Sequence, residues 1–296
     1  MEDLADLEVP GVLRLRAPKA PAVPLVFDSP HSGSVYPDGF APAVPVTALR
    51  GAEDFFVDDL YGAAPDHGAA LLAALFPRLY VDPNRAETDM DPAHVSGDWA
   101  GPPLAPGPKA KLGQGLVWLR YPPDALPVYD GPIAAADLKS RIETYHRPYH
   151  AALRRMLDWA VGRFGGYYHI DCHSMPSVAT DLSPEPTGTV RPDFVLGSRD
   201  GTSCCPELTE VVRTYLVGRG YDIRVDFWYK GVEIVRLSGD PAAGRHSLQV
   251  EISRRIYMDE ARLQKGADYA AAKDLFTGLI AELRQFAADC PPGRAA

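Results

Sequence analysis

The stretch Gly166-Tyr-Tyr-His-Ile-Asp-Cys-His-Ser-Met-Pro176 constrains the fold more than any other. Tyr167 to Cys172 is a short aromatic and β-branched run with Gly-Gly before it and Pro after it, the pattern of a buried strand. Its C-terminal end carries Asp171, His173 and Ser174. In open α/β sheets that end of a strand is where loops converge polar groups over a rigid scaffold, so a site is to be sought around His173. A lone strand-end His serves equally well as a hydrogen-bonded loop cap, and the site reading therefore needs partners from elsewhere in the chain.

The same punctuation recurs at Val23 to Asp28, a strand that runs into the turn Ser29-Pro-His31-Ser-Gly33. A helical pattern from Thr47 to about Tyr61 follows, with Glu53 and Asp54 in its first half, where an acidic pair would also suit the helix dipole. Two apolar runs, 69–75 and 78–82, read as strands or as a strand and a short helix. They lead into Asp82-Pro-Asn84-Arg85, a polar turn whose guanidinium fork and amide suit a planar carboxylate; the alternative is a surface Arg paired with Glu87 or Asp89. Residues 91–115 are rich in Gly and Pro and lack periodicity, as expected of a lid or rim loop or of a tolerated insertion. A brief strand is expected at 116–119.

Residues 133–163 read as helix, kinked or divided at Pro148. His146 and His150 are spaced i, i+4 there, a spacing read as packing or support for a site. Strands are expected at 193–197, 221–227 and 233–237, and helices at 206–217 and 259–288. Ser247 to Ser253 alternates, with Gln249, Glu251 and Ser253 on one face and Leu248, Val250 and Ile252 on the other. Residues 1–22 read as an irregular arm and 290–296 as a fraying tail.

The alternation of strands and helices over 296 residues, 46% of them hydrophobic, fits one α/β domain around one sheet. A formal net charge of −9 argues against a nucleic-acid partner. The acidic start and the absence of a long apolar run argue against a secretory signal or a membrane span, and so for a cytoplasmic chain. Cys172, Cys204, Cys205 and Cys290 have no C-x-x-C spacing and read as reduced thiols.

The polar residues at element ends combine into one chemical scheme. Two histidines, His31 and His173, with one carboxylate from Glu53 or Asp54, are the ligand set of a hydrolytic zinc site that leaves a position open to water. Co2+ and Mn2+ are alternatives to Zn2+ as the one divalent ion. Glu251, a carboxylate on a core strand, must be paired, solvated or functional; as a general base and acid it would move the water's proton, and its structural alternative is an ion pair with Arg254 or Arg255. Asp171 would orient a ligand. Donor atoms of the ligand trio more than about 6 Å apart would exclude the scheme, since ligands lie ~2.0–2.3 Å from zinc.

Seven stretches in order, Ser29-Pro-His-Ser-Gly33, Glu53-Asp through Tyr61, Val81-Asp-Pro-Asn-Arg85, Arg147-Pro-Tyr-His150, Ile170-Asp-Cys-His-Ser-Met-Pro176, Asp193 to Gly197 and Leu248-Gln-Val-Glu251 through Glu260, resemble the N-formylglutamate amidohydrolase family. They span about residues 25–262. The resemblance implies a three-layer α/β/α sandwich around a mixed sheet, phosphorylase/hydrolase-like and similar to zinc carboxypeptidases and aspartoacylases. It implies His31, Asp54 and His173 as metal ligands, Asp54 suiting the family pattern better than Glu53, and Glu251 as catalytic residue. Substrate contacts are expected from Asn84, Arg85, Ser174, His150 and Arg255, the last for the second carboxylate of a glutamyl group. The implied reaction is cleavage of N-formyl-L-glutamate to glutamate and formate. Another N-acyl amino acid or small peptide is the alternative substrate, and a catalytically dead metal-binding protein the non-enzyme alternative. The turn Asp226-Phe-Trp-Tyr-Lys-Gly-Val232 departs from the family pattern Asn-x-Pro-Tyr-x-Gly-Gly, which bears on substrate identity more than on reaction type.

Overall fold

The computed structural model describes residues 3–293; the last three positions of the tail expected to fray lie outside the described residues. Eight strands form the main sheet: β1 (Leu7–Val9), β2 (Leu13–Arg16), β3 (Leu25–Ser29), β4 (Ala70–Ala74), β5 (Tyr167–Met175), β6 (Phe194–Gly197), β7 (Ile223–Val225) and β8 (Arg245–Ser253). Their order is β1-β2-β4-β3-β5-β8-β6-β7. The centre, β4-β3-β5-β8, is parallel, whereas β1, β2 and β6 pair antiparallel with their neighbours toward the centre. Helices cover both faces, which gives the expected three-layer sandwich around a mixed sheet. Helices α1 (Ala135–Arg141), α2 (Arg147–Phe164) and α4 (Glu233–Ser238) belong to one side, α3 (Pro206–Val217) and α5 (Tyr269–Asp289) to the other. No helix among the described residues is long and apolar enough to cross a membrane.

Four local expectations are corrected. The supposedly irregular arm contains β1 and β2: Leu13 and Leu15 are buried while Arg14 and Arg16 face outward, a period-2 pattern masked by flanking prolines. The helix expected over 47–61 is broken into short turns, because the Asp54 N–H bonds the His31 carbonyl oxygen (2.9 Å) instead of continuing a helix. Residues 233–238 are helical, not a strand; a stretch of five residues is too short to distinguish the two by periodicity. The final helix starts at Tyr269, after a small hairpin of Met258–Asp259 with Gln264–Lys265.

The expected division at Pro148 takes the form of a π-helical segment, Ile142–His146, between α1 and α2, with Pro148 in the first turn of α2.

Candidate active site

The two faces of the central strands differ in chemistry. Because a strand's side chains alternate, the register Ser247↔His169, Gln249↔Asp171 and Glu251↔His173 between β8 and β5 places all six on the α1/α2 face. Asp28 of β3, opposite Asp171, joins them. Every one of these seven polar residues is at most 5% exposed. Burial of this kind requires partners. At the column's foot, the His169 ring bonds Ser247 Oγ through Nδ1 (2.8 Å) and Asp28 through Nε2 (2.9 Å), and Tyr149 donates to the other Asp28 oxygen (2.7 Å).

At the column's top, His31, Asp54 and His173 present donor atoms that all lie within 4.8 Å of one another, and all three side chains are buried. The closest approaches are His31 Nδ1 to Asp54 Oδ2 at 3.5 Å and His173 Nδ1 to the same oxygen at 3.2 Å. Donors ~2.0–2.3 Å from a zinc ion stand roughly 3.3–3.7 Å apart in a tetrahedron, so the trio has the spread of a metal site. The chemistry of the donors agrees. His31 Nδ1 is buried without a hydrogen-bond partner, whereas Nε2 of each ring meets a carboxylate: Asp82 for His31 and Asp171 for His173, both at 2.7 Å. Carboxylates that hold the far nitrogens leave the Nδ1 lone pairs free for an ion. Glu53 is turned away, bonded to Tyr36 and Arg50.

The frame is local and tight. A Cβ at Gly33 would lie 2.2 Å from the Phe76 carbonyl oxygen, so the turn presenting His31 requires glycine. Arg254 braces the carboxylate segment, donating to the Gly51 and Glu53 carbonyls, to Asp54 Oδ1 (3.0 Å) and to Ser174 Oγ (3.1 Å). Asp82 accepts from Arg78, Trp118 and the Asn84 N–H. Burial alone would raise the pKa values of Asp54 and Asp82, but for Asp54 the His173 bond and the nearby His31 ring, and for Asp82 the charges of Arg78 and His31, hold both well below the usual carboxylate range.

Glu251 stands beside His173 with one hydrogen bond, from Gln249 (2.8 Å). Burial raises its pKa, against the lowering influence of His173. The structural alternative of an ion pair fails, since Arg254 pairs with Asp54 and Arg255 with Asp193. The trio, Glu251, Asn84, Arg85 and Ser174 all line one cavity of about 200 Å3, small for a ligand site (~300–1,000 Å3) and suited to a small molecule.

Two expected substrate contacts lie elsewhere. Arg255 is exposed and donates to Asp193 and the Arg191 carbonyl, because the 3-10 turn after β8 directs Arg254, not Arg255, inward. His150 bonds the Pro83 carbonyl oxygen and His146 the Arg85 carbonyl oxygen, both at 2.8 Å, so the pair holds the 82–85 turn from behind. Asn84 is largely occupied: Nδ2 reaches His173 Nε2 (3.1 Å) and Asp171 (3.3 Å), and Oδ1 accepts from the Ile234 N–H. Arg85 bonds the Gln114 and Asn84 carbonyls through Nε and one terminal nitrogen, leaving the other free. Asp82, Gln249 and Arg254 are site residues that local sequence reading assigned no role in the site; the alternation around Glu251 pointed to Gln249, but nothing local marked the other two.

A model of the N-formylglutamate amidohydrolase family matches residues 23–258. The chain is 30% identical over 242 residues to an N-formylglutamate deformylase of Pseudomonas putida, covering 80% of this chain and 83% of that one. It is 28% identical to one of Pseudomonas aeruginosa, over 89% and 91%. The crystal structure of an N-formylglutamate amidohydrolase from Ralstonia eutropha JMP134 superposes with a TM-score of 0.90 at 42% identity, over 94% of this chain and 99% of that one. By fold, by the order of its motifs and by these matches, the chain belongs to the N-formylglutamate amidohydrolase family.

Proposed function

We propose that the protein hydrolyses N-formyl-L-glutamate to L-glutamate and formate, the formamide cleavage that ends one route of histidine degradation, with His31, Asp54 and His173 holding one divalent ion. The observation that carries the reading is the buried donor trio with a carboxylate behind each histidine and a raised-pKa Glu251 beside it. Zn2+ suits two imidazoles and a carboxylate, with Co2+ and Mn2+ as alternatives. When bound, the ion supplies Lewis acidity that polarises a carbonyl oxygen and acidifies water.

The chain's own residues do the rest. Asp82 accepts from His31 Nε2 and so fixes that tautomer, the Asp171 carboxylate lies against His173 Nε2, and Arg254 steadies Asp54. Glu251 takes a proton from water as its oxygen attacks the formyl carbon, then returns it to the glutamate nitrogen as the C–N bond breaks, so that the amine leaves neutral. Arg85 receives a substrate carboxylate, and Asn84 orients Asp171 and the start of α4. Ser174 contributes to the cavity wall through its bond from Arg254.

The chain reads as one hydrolase domain, since the site draws on residues from 31 to 254 around one sheet. The test is formate release from N-formyl-L-glutamate after reconstitution with Zn2+, Co2+ or Mn2+, with bound metal measured in parallel. One ion per chain in the wild type and none in His173→Ala is expected. Full stoichiometry in His173→Ala refutes the ligand assignment, and activity on N-acetyl but not N-formyl amino acids refutes the substrate.

A further inference from the structure

The cavity wall holds more positive charge than its acids absorb. Arg78 is paired with Asp82, Arg191 with Glu185 and Arg254 with Asp54. Arg85 has Asp89 only at 3.9 Å. Lys109 differs from all of them. It is half-buried in the same wall, yet its ammonium has one neutral partner, the Leu182 carbonyl oxygen at 3.2 Å, and no carboxylate in salt-bridge reach among the described residues. Burial, and then the like charges of Arg85 and Arg78, push its pKa down to about 8. An ammonium withdrawn from water beside other cations is costly unless an anion completes its surroundings.

The fold holds Lys109 in this position firmly. It belongs to a one-turn helix, Pro108–Lys111, whose buried anchor is Ala110. Asp89 clamps both flanks: its carboxylate accepts from the Gly107 N–H and its carbonyl from the Leu116 N–H, each at 2.7 Å. A Cβ at Gly115 would lie 2.3 Å from that carbonyl oxygen, so the close approach needs glycine. The Gly/Pro-rich 91–115 segment thus delivers a rigidly mounted cation to the cavity.

We propose that Lys109 determines specificity by binding the second carboxylate of an N-formyl dicarboxylic amino acid, while Arg85 takes the first. The cavity then selects a dianion over a monoanion of the same shape. This inference rests on the function proposed above and names the residue that separates glutamate from its neutral isostere.

The test compares kcat/KM for N-formyl-L-glutamate and N-formyl-L-glutamine in the metal-reconstituted wild type, Lys109→Met and Lys109→Arg. A charged hydrogen bond of roughly 1.5–3 kcal/mol corresponds to about 10- to 100-fold. The glutamate-over-glutamine ratio should fall by that factor in Lys109→Met, mainly through KM, and be partly restored in Lys109→Arg. An unchanged ratio, or an equal loss on both substrates, overturns the role of Lys109 even in an enzyme that cleaves N-formylglutamate well. If the wild type releases no formate from either substrate, the proposed function fails, and calorimetric binding of glutarate against its monoamide judges the inference by itself. A loss in Lys109→Met confined to glutarate sustains it; equal glutarate affinity in both proteins overturns it.

Discussion

The two faces of strand β8 put the protein's two tasks on one backbone. Leu248, Val250 and Ile252 point into a core shared with Ile170, Cys172, Phe194, Leu196, α3 and α5, and that face holds no charged strand residue at the sheet centre. Ser247, Gln249 and Glu251, alternating with them, join a column of buried polar groups. The apolar face gains stability from area removed from water. The polar face gives up that gain and in return obtains fixed side chains, Ser247 bonded across the strands to His169 and Gln249 bonded to Glu251 along its own strand. Adjacent residues should therefore fail in opposite ways when changed.

Glu251→Gln should produce the largest effect. It keeps the bond to Gln249 within reach and removes only the group that carries the proton, so kcat should fall by about 10²–10⁴ with metal content and thermal midpoint retained. Loss of stability with normal activity in the folded fraction would instead assign Glu251 to the scaffold and erase the contrast.

Ile252→Ala, one residue along, should do the reverse. The side chain is fully buried, and truncation of such a residue costs about 2–5 kcal/mol, read from denaturant midpoints at constant slope. The folded protein should keep its kcat; a drop of an order of magnitude would show that the apolar face reaches the chemistry.

The smallest change is expected for Asp171→Asn, which alters the support of a ligand and not the ligand. Metal affinity should weaken by about 10- to 100-fold in competition with a chelator. In the wild type that affinity should climb with pH. Burial lowers the His173 pKa, but Asp171 and Asp54 more than reverse this and hold it well above the usual imidazole range, so an incoming ion must displace a proton. A pH-independent affinity would remove His173 from the ligand set.

What the sequence made legible follows from how far each signal reaches. His31 and His173 lie where an apolar run meets a polar residue, and Glu251 on the polar side of an alternating strand, patterns complete within a few positions. Asp82 could not be assigned that way, because its bond to His31 spans 51 residues and depends on how the 82–85 turn packs. Arg254 and Arg255 are alike as neighbours, and only the 3-10 turn after β8 decides which faces inward. His150 carried a suggestive spacing, but the π-helical segment ahead of Pro148 lies in a helix that backs the 82–85 turn instead of opening on the cavity. The helix at 233–238 is set by packing on β8 and not by a period visible in six residues.

The foot of the polar column bears on how hydrolases are recognised by shape. Ser247, His169 and Asp28 are connected hydroxyl to imidazole to carboxylate at 2.8 and 2.9 Å, the connectivity of a serine-hydrolase triad. All three are fully buried, and a nucleophile acts only on an electrophile that can approach to ~3–3.5 Å. A template search on interatomic distances alone would report a second catalytic centre in this protein. Accessibility separates the two constellations: the same atoms that would be a weapon at a surface are, in a sealed interior, a rivet between three strands.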